Sequence, residues 1–266
     1  MTDQEKWDEM DLTRYLDDWN LIDKIVGRDG GDCCHKESRY WIALGLMSEA
    51  KQVKWLNALE RNTSDVHRNL SLFQPHPGIL LRHPNPELDA GDWDRGSRDM
   101  YKPYIMACGL WDKKQLWRMA KGHAKRLFLL ANNSRQNGAT KFNHGKNGYS
   151  YAPKLPDITG PKVWNCYLRA INKWYLWPLV LLFDIELLAG AINWRFFKKS
   201  NLTQNQCAEQ VYATKRLPTP FSWLSNKVMP VEKLIDLWAD HLDDHHPTDD
   251  TRFLADMFRD AWENIK

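Results

Sequence analysis

Apolar positions along this chain recur mostly at helical spacing. Leu12, Tyr15, Leu16, Trp19, Ile22 and Val26 fall three or four apart, which predicts an amphipathic helix over residues 3–26. Gly27 and the turn-rich run Arg28-Asp29-Gly30-Gly31-Asp32 end it. A second helical region spans 37–60, interrupted around Gly45–Ser48. Residues 61–96 are rich in Pro and Gly and hold no period, so they read as a long, functional loop. Helices resume over 97–110 and 112–131. In the second of these, Leu116, Met119, Ala120, His123, Leu127 and Leu130 form an apolar stripe, while Lys114, Arg118, Lys121 and Lys125 line another face. A further long loop, 132–160, leads to helices near 161–177, 179–199, 203–213, 229–244 and 248–265. Pro178 separates two of them, as a first-turn proline or a kink.

Composition supports the same reading. Leu occurs 32 times, against 19 for Val and Ile together, a balance that favours helix over sheet. The expected fold is all-α, with about nine helices in antiparallel hairpins, long loops gathered at one end, and a single domain over residues 1–266. Tryptophan is over-represented, with 14 Trp against 9 Tyr and 9 Phe. Such an excess needs either a large core or an aromatic surface.

Charge adds asymmetry rather than a strong total. The formal net charge is +3, yet residues 1–30 hold nine acids and four bases, and Lys102 to Lys146 holds ten Lys or Arg with Asp112 as its one acid. The five cysteines follow no disulfide or metal-ribbon spacing, which fits a reducing compartment. The acidic N-terminus has no signal-peptide pattern, so a cytoplasmic location is expected. Residues 174–192 are long enough to span a bilayer, but Asp184 and Glu186 lie at their centre. At roughly 2.5–3.5 kcal/mol per central acid, the sum is near zero or unfavourable, so this stretch is expected to be a buried core helix and not a membrane span.

Nucleotide-loop, nucleophile-elbow and zincin signatures do not occur. Polar clusters carry the remaining chemistry. The turn before the second helical region holds Asp32, Cys33, Cys34, His35 and Glu37. Asp32 suits an N-cap, or with His35 and Glu37 it stands at the mouth of a bundle. Adjacent Cys33, Cys34 and His35 chelate poorly, so no metal or other cofactor is expected. Arg82 and His83, then Trp93, Asp94, Arg95, Arg98 and Asp99, close onto a helix start, with Lys102 and Tyr104 one turn on. Arg–acid pairs beside an indole suit a sugar or an anion. His144 and Tyr149 lie in a Gly- and Lys-rich loop that offers an acid–base pair or a mobile surface. Asp184 is placed towards a polar cavity. His241 and His245, four apart before Pro247, suit a helix C-terminus better than zinc.

The Trp93-Asp94-Arg95 to Asp99 loop and the Asp32 to Glu37 turn, set among helical hairpins, resemble the α/α-toroid group of carbohydrate-active enzymes, glycoside hydrolases and polysaccharide lyases. A full toroid has twelve helices, so the likeness is to an incomplete one. It implies cleavage of an acidic poly- or oligosaccharide in a cleft formed by loops 29–39, 82–99 and 141–151. Asp99 with Asp32 or Glu37 would supply the paired carboxylates of a hydrolase. His83 and Tyr149 would move the proton in a lyase. Arg82, Trp93, Asp94, Arg95, Arg98, Lys102, Tyr104, His35, His144 and Asp184 would bind substrate. The alternative is a non-catalytic helical interaction protein using Trp-rich surfaces, and nucleic-acid binding through the basic helix 112–126 ranks third. The oligomeric state stays open.

Overall fold

A computed structural model describes residues 12–17, 19–22, 33–84, 98–132, 141–143, 149–151, 158–197, 203–240 and 252–266. Eleven α-helices run through these residues: α1 Cys33–Leu46, α2 Glu49–Ala58, α3 Asp65–Leu72, α4 Arg98–Trp111, α5 Lys113–Asn132, α6 Pro161–Ile171, α7 Trp177–Phe197, α8 Thr203–Lys215, α9 Pro220–Val228, α10 Val231–Asp240 and α11 Arg252–Glu263. Two three-residue strands, Lys141–Asn143 and Tyr149–Tyr151, pair antiparallel with Lys141 opposite Tyr151. The all-α class is as expected. Pro178 sits in the first turn of α7, where its missing N–H costs no helical hydrogen bond.

Two expectations about local structure are corrected. Residues 12–22 are not a continuous helix: a 3-10 turn over Leu12–Tyr15 gives way to a bridge between Leu16 and Ile22. The Asp17 carboxylate accepts the N–H groups of Trp19 at 2.8 Å and Leu21 at 2.9 Å, and this local bonding replaces the helical ladder. The long loop 61–96 contains α3. Val66 and Leu70, with Phe73 just beyond the helix end, are buried at helical spacing, and Asp65 accepts the N–H of Asn62. This short helix and α9 are elements the pattern did not place, and the expected 37–60 region divides into α1 and α2.

Most of the described buried apolar residues make one contiguous cluster running from Leu12 to Trp262. Its packing is built around α8, which touches α1, α4, α7, α9, α10 and α11. That helix is polar in sequence yet buried on every side, with Asn205, Gln206, Glu209 and Gln210 all inside. Buried amides and carboxylates are tolerated when their hydrogen bonds are met. Gln206 donates to the Leu187 carbonyl at 3.2 Å, and Gln210 to Asn226 at 2.7 Å and to the Met229 carbonyl at 3.0 Å. On α5 the basic face is solvated, as expected for Lys114, Lys121 and Lys125. Gly122 lets residues 77–78 lie directly on that helix, since a Cβ there would stand 2.1 Å from the Pro77 carbonyl carbon.

Candidate functional site

Cys33 opens α1, and the next residue ties this helix to a distant segment. The Cys34 N–H donates to the Arg82 carbonyl at 2.9 Å, which joins two of the three segments expected to converge. His83 follows, buried, with Nε2 at 2.7 Å from Asp17 Oδ2. Burial alone would raise the Asp17 pKa, but the His83 hydrogen bond and the Leu21 and Trp19 N–H groups together bring it below its ordinary 3.8. The Cys33 thiol stands beside this pair, so that one ligand-type atom each from Asp17, Cys33 and His83 lies within 4.8 Å of the other two.

Several residues expected at a cleft are instead inside the fold. Glu37 is fully buried, and Oε1 accepts from Trp41 at 2.7 Å, Asn69 at 2.8 Å and Arg61 at 3.1 Å. Its Oε2 accepts from the Ile22 N–H at 3.0 Å and from Arg61 at 3.2 Å. These bonds hold the 12–22 segment, α1, the turn at Arg61 and α3 together. His35 and Arg39 both donate to Asn205 Oδ1 of α8, at 2.9 and 3.0 Å. Burial and the Arg39 charge push the His35 pKa well below its ordinary value. Lys102 is paired with Glu209, and the Tyr104 hydroxyl donates to the Leu70 carbonyl at 2.7 Å.

Asp184 faces no open polar cavity. It is fully buried in an ion pair with Arg169 and accepts from Asn165 at 2.7 Å and from the Thr219 hydroxyl. A crevice of about 10 Å³ lies beside its partners, lined by Lys162, Asn165, Arg169, Glu209 and Tyr212 among others. That is room for one water rather than a sugar.

Asp32, Trp93, Asp94, Arg95, His144, His241 and His245 lie outside the described residues. Arg98 and Asp99 occupy the first turn of α4, and Tyr149 begins the second strand.

One buried histidine has a consequence for stability. His123 packs edge-on to Tyr101 at 4.9 Å, and its Nδ1 is 2.8 Å from the Tyr167 hydroxyl. Burial pushes its pKa from 6.5 down to about 3, with the Gly78 backbone countering only in part. The ring is therefore neutral when folded, while the unfolded chain takes up a proton below about 6.5. The associated stability is complete above that pH and is lost progressively as pH falls towards 3, at about 1.4 kcal/mol per pH unit. Between pH 6.5 and 4.5 this amounts to about 2–3 kcal/mol. In urea unfolding at pH 7 and 4.5, His123→Gln should show a correspondingly smaller acid penalty than the wild type. Equal penalties would mean that His123 is not the acid-labile group.

The largest departure from expectation is on the surface. The stretch Trp174–Phe196 is long and apolar enough to cross a membrane, and only 22% of its most apolar window is buried. Val180, Asp184, Leu187, Ala191 and Trp194 form a narrow inner seam along α7. The opposite stripe is exposed: Leu179, Leu182 at 59%, Ile185 at 51%, Ile192 and Phe196 at 71%. Trp174 is 82% exposed just before the helix, and α9, packed along α7, exposes Trp223 at 59% and Leu224. The reading of this stretch as a buried core helix is thus corrected. Its hydropathy was legible, but hydropathy does not say which face is covered.

Comparison with protein-family models, with curated proteins and with solved structures gives no match.

Proposed function

We propose that this chain is a helical interaction protein whose α7–α9 face docks on an anionic lipid surface. The observation that carries this reading is the outward stripe of α7, apolar from Leu179 to Phe196 and exposed among the described residues. An exposed apolar surface of this extent marks an interaction site. Its ends favour lipid over a protein partner. Lys173, Trp174, Tyr175 and Trp177 stand at one end, and Arg195 and Phe196 at the other. Indoles and basic residues flanking an apolar span suit the headgroup region.

Charge points the same way. Residues 161–229 contain nine Lys or Arg and three acids. Two of those acids, Asp184 and Glu209, are neutralised inside the fold by Arg169 and Lys102. Because the inner seam follows α7 along its length, the helix would lie flat with its outer stripe in the interface.

Co-sedimentation with phosphatidylcholine vesicles, with and without phosphatidylglycerol, tests this. Binding should favour the anionic vesicles and weaken with salt. Leu182 and Ile185 each offer roughly 100 Å² of apolar surface, about 2.5 kcal/mol at ~25 cal/mol/Å². The exposed double substitution Leu182→Asp with Ile185→Asp should therefore cut partitioning at least a hundredfold while preserving the helical circular dichroism. Absence of the wild type from both vesicle pellets refutes the reading. A wild-type dimer converted to monomer by the same substitutions would instead assign the face to a second copy.

A second reading, carbohydrate cleavage, is favoured by the hydrogen bond from Cys34 to Arg82, which brings the turn before α1 to the start of the 82–99 segment. Its assay is product release from a panel of acidic polysaccharides, with Arg98→Ala and Asp99→Ala compared with the wild type.

A further inference from the structure

We propose that Asp17, Cys33 and His83 form a binding site for a single zinc-class divalent ion. The proposal is independent of the lipid-docking reading. Three segments far apart in sequence supply three different ligand types, and their donor atoms all lie within 4.8 Å of one another. Zinc bonds of about 2.0–2.3 Å in tetrahedral geometry set neighbouring ligand atoms roughly 3.3–3.8 Å apart. The cluster brackets that spacing. Its tightest edge, Asp17 Oδ2 to His83 Nε2 at 2.7 Å, would open by about 0.6–1.1 Å when an ion enters between them.

The chemistry of the donor set selects the metal. A thiolate and an imidazole suit zinc and its neighbours, whereas calcium and magnesium sites are built from oxygen. Cys33 also stands in the first turn of α1, which fixes the backbone from which the thiol projects. Three protein ligands leave the fourth position for water.

The ligands are held in place by bonds that do not use their donor atoms for support. Asp17 Oδ1 takes the N–H groups of Trp19 and Leu21, leaving Oδ2 facing His83. The Cys34 N–H fixes Arg82, the residue before His83, and the Leu81 N–H donates to the Phe73 carbonyl at 2.9 Å. Cys33 and His83 are buried, while the Asp17 side chain keeps 12% exposure and gives the ion a way in.

Cobalt(II) reports on this directly, because a cobalt–thiolate bond adds a charge-transfer band in the near ultraviolet. Wild-type protein stripped with chelator and titrated with cobalt(II) should develop that band, saturate at one ion per chain and lose the band to equimolar zinc. Cys34→Ser should behave as wild type, and Cys33→Ser should lose the band. Zinc should raise the wild-type melting temperature but not that of His83→Gln. The wild-type spectrum decides even where a variant folds poorly: no thiolate band overturns the proposal, and so does an undiminished band in Cys33→Ser.

Discussion

Glu37→Gln is expected to destabilise the protein by about 3–5 kcal/mol, the usual cost of removing one partner from a buried ion pair. Both side chains of the Glu37–Arg61 pair are at 0% exposure, so water cannot replace the lost charge. Glutamine keeps the shape, but its amide nitrogen must point at donors. Every described partner of Glu37 is a donor: the Trp41 indole, the Asn69 amide, the Ile22 backbone N–H and two guanidinium nitrogens of Arg61. The guanidinium also lies over the Tyr40 ring at 5.1 Å, a contact that loses its counter-charge. At roughly 2–4 °C per kcal/mol for a chain of this size, the melting temperature should drop by about 10 °C. A catalytic acid behaves differently, losing turnover while the fold holds. A melting point within about 2 °C of the wild type would show that Glu37 is not a structural tie and would return it to the candidate acids. A double-mutant cycle with Arg61→Met should give a coupling energy of at least 2 kcal/mol, at the upper part of the range of roughly 0.5–3 kcal/mol found for contacting residues.

The same residue shows where reading the sequence succeeds and where it stops. The helix α5 was legible because Leu116, Met119 and His123 repeat at one period and all three are buried. Periodicity reports which residues share a face, and in α5 one face is plainly polar. It says nothing about partners supplied by other segments. Glu37 looked available because it follows a Gly-rich turn, yet its charge is met by Arg61, which lies 24 positions away. Asp17, Cys33 and His83 are separated by 16 and 50 positions, so no spacing rule unites them. The helix expected across Asp17 fails because that carboxylate bonds its own backbone. The tryptophan excess divides in the fold: Trp41, Trp55 and Trp238 fill the core, whereas Trp174 and Trp223 stand on the surface. On α7 and α8 the usual placement is inverted. The polar helix is buried because each amide finds a partner, and the apolar helix is exposed because, among the described residues, its inner seam alone is fully covered.

That inversion makes Asp184 the second residue whose loss should be costly. It is the one acid on the inner seam of the most apolar helix, and it joins three other elements to α7. Arg169 of α6 pairs with it while also donating to the carbonyls of Ala213 and Leu217, each at 2.8 Å. The Thr219 hydroxyl donates to Asp184 and in turn caps α9, accepting from the Ser222 N–H at 3.1 Å, while the Ser222 hydroxyl accepts from the Thr219 N–H at 2.9 Å. Asp184 therefore sets the direction of the hydroxyl that closes this capping box. Asp184→Asn keeps the volume, leaves the Arg169 charge buried and removes the acceptor that orients Thr219. The cost should be about 3 kcal/mol or more from the unpaired charge, with about 1 kcal/mol added if the cap is lost. Thr219→Val should remove the cap and one hydrogen bond to Asp184 while leaving the Arg169 pair in place, costing about 1–2 kcal/mol. Hydrogen exchange separates the two effects. Amides of the first turn of α9, Ser222 and Trp223, should lose protection in both variants, while the Arg169 end of α6 should loosen only in Asp184→Asn. If both variants cost the same and α6 stays protected, the ion pair contributes nothing beyond the cap. The polar anchor beneath the exposed face would then be Thr219 alone.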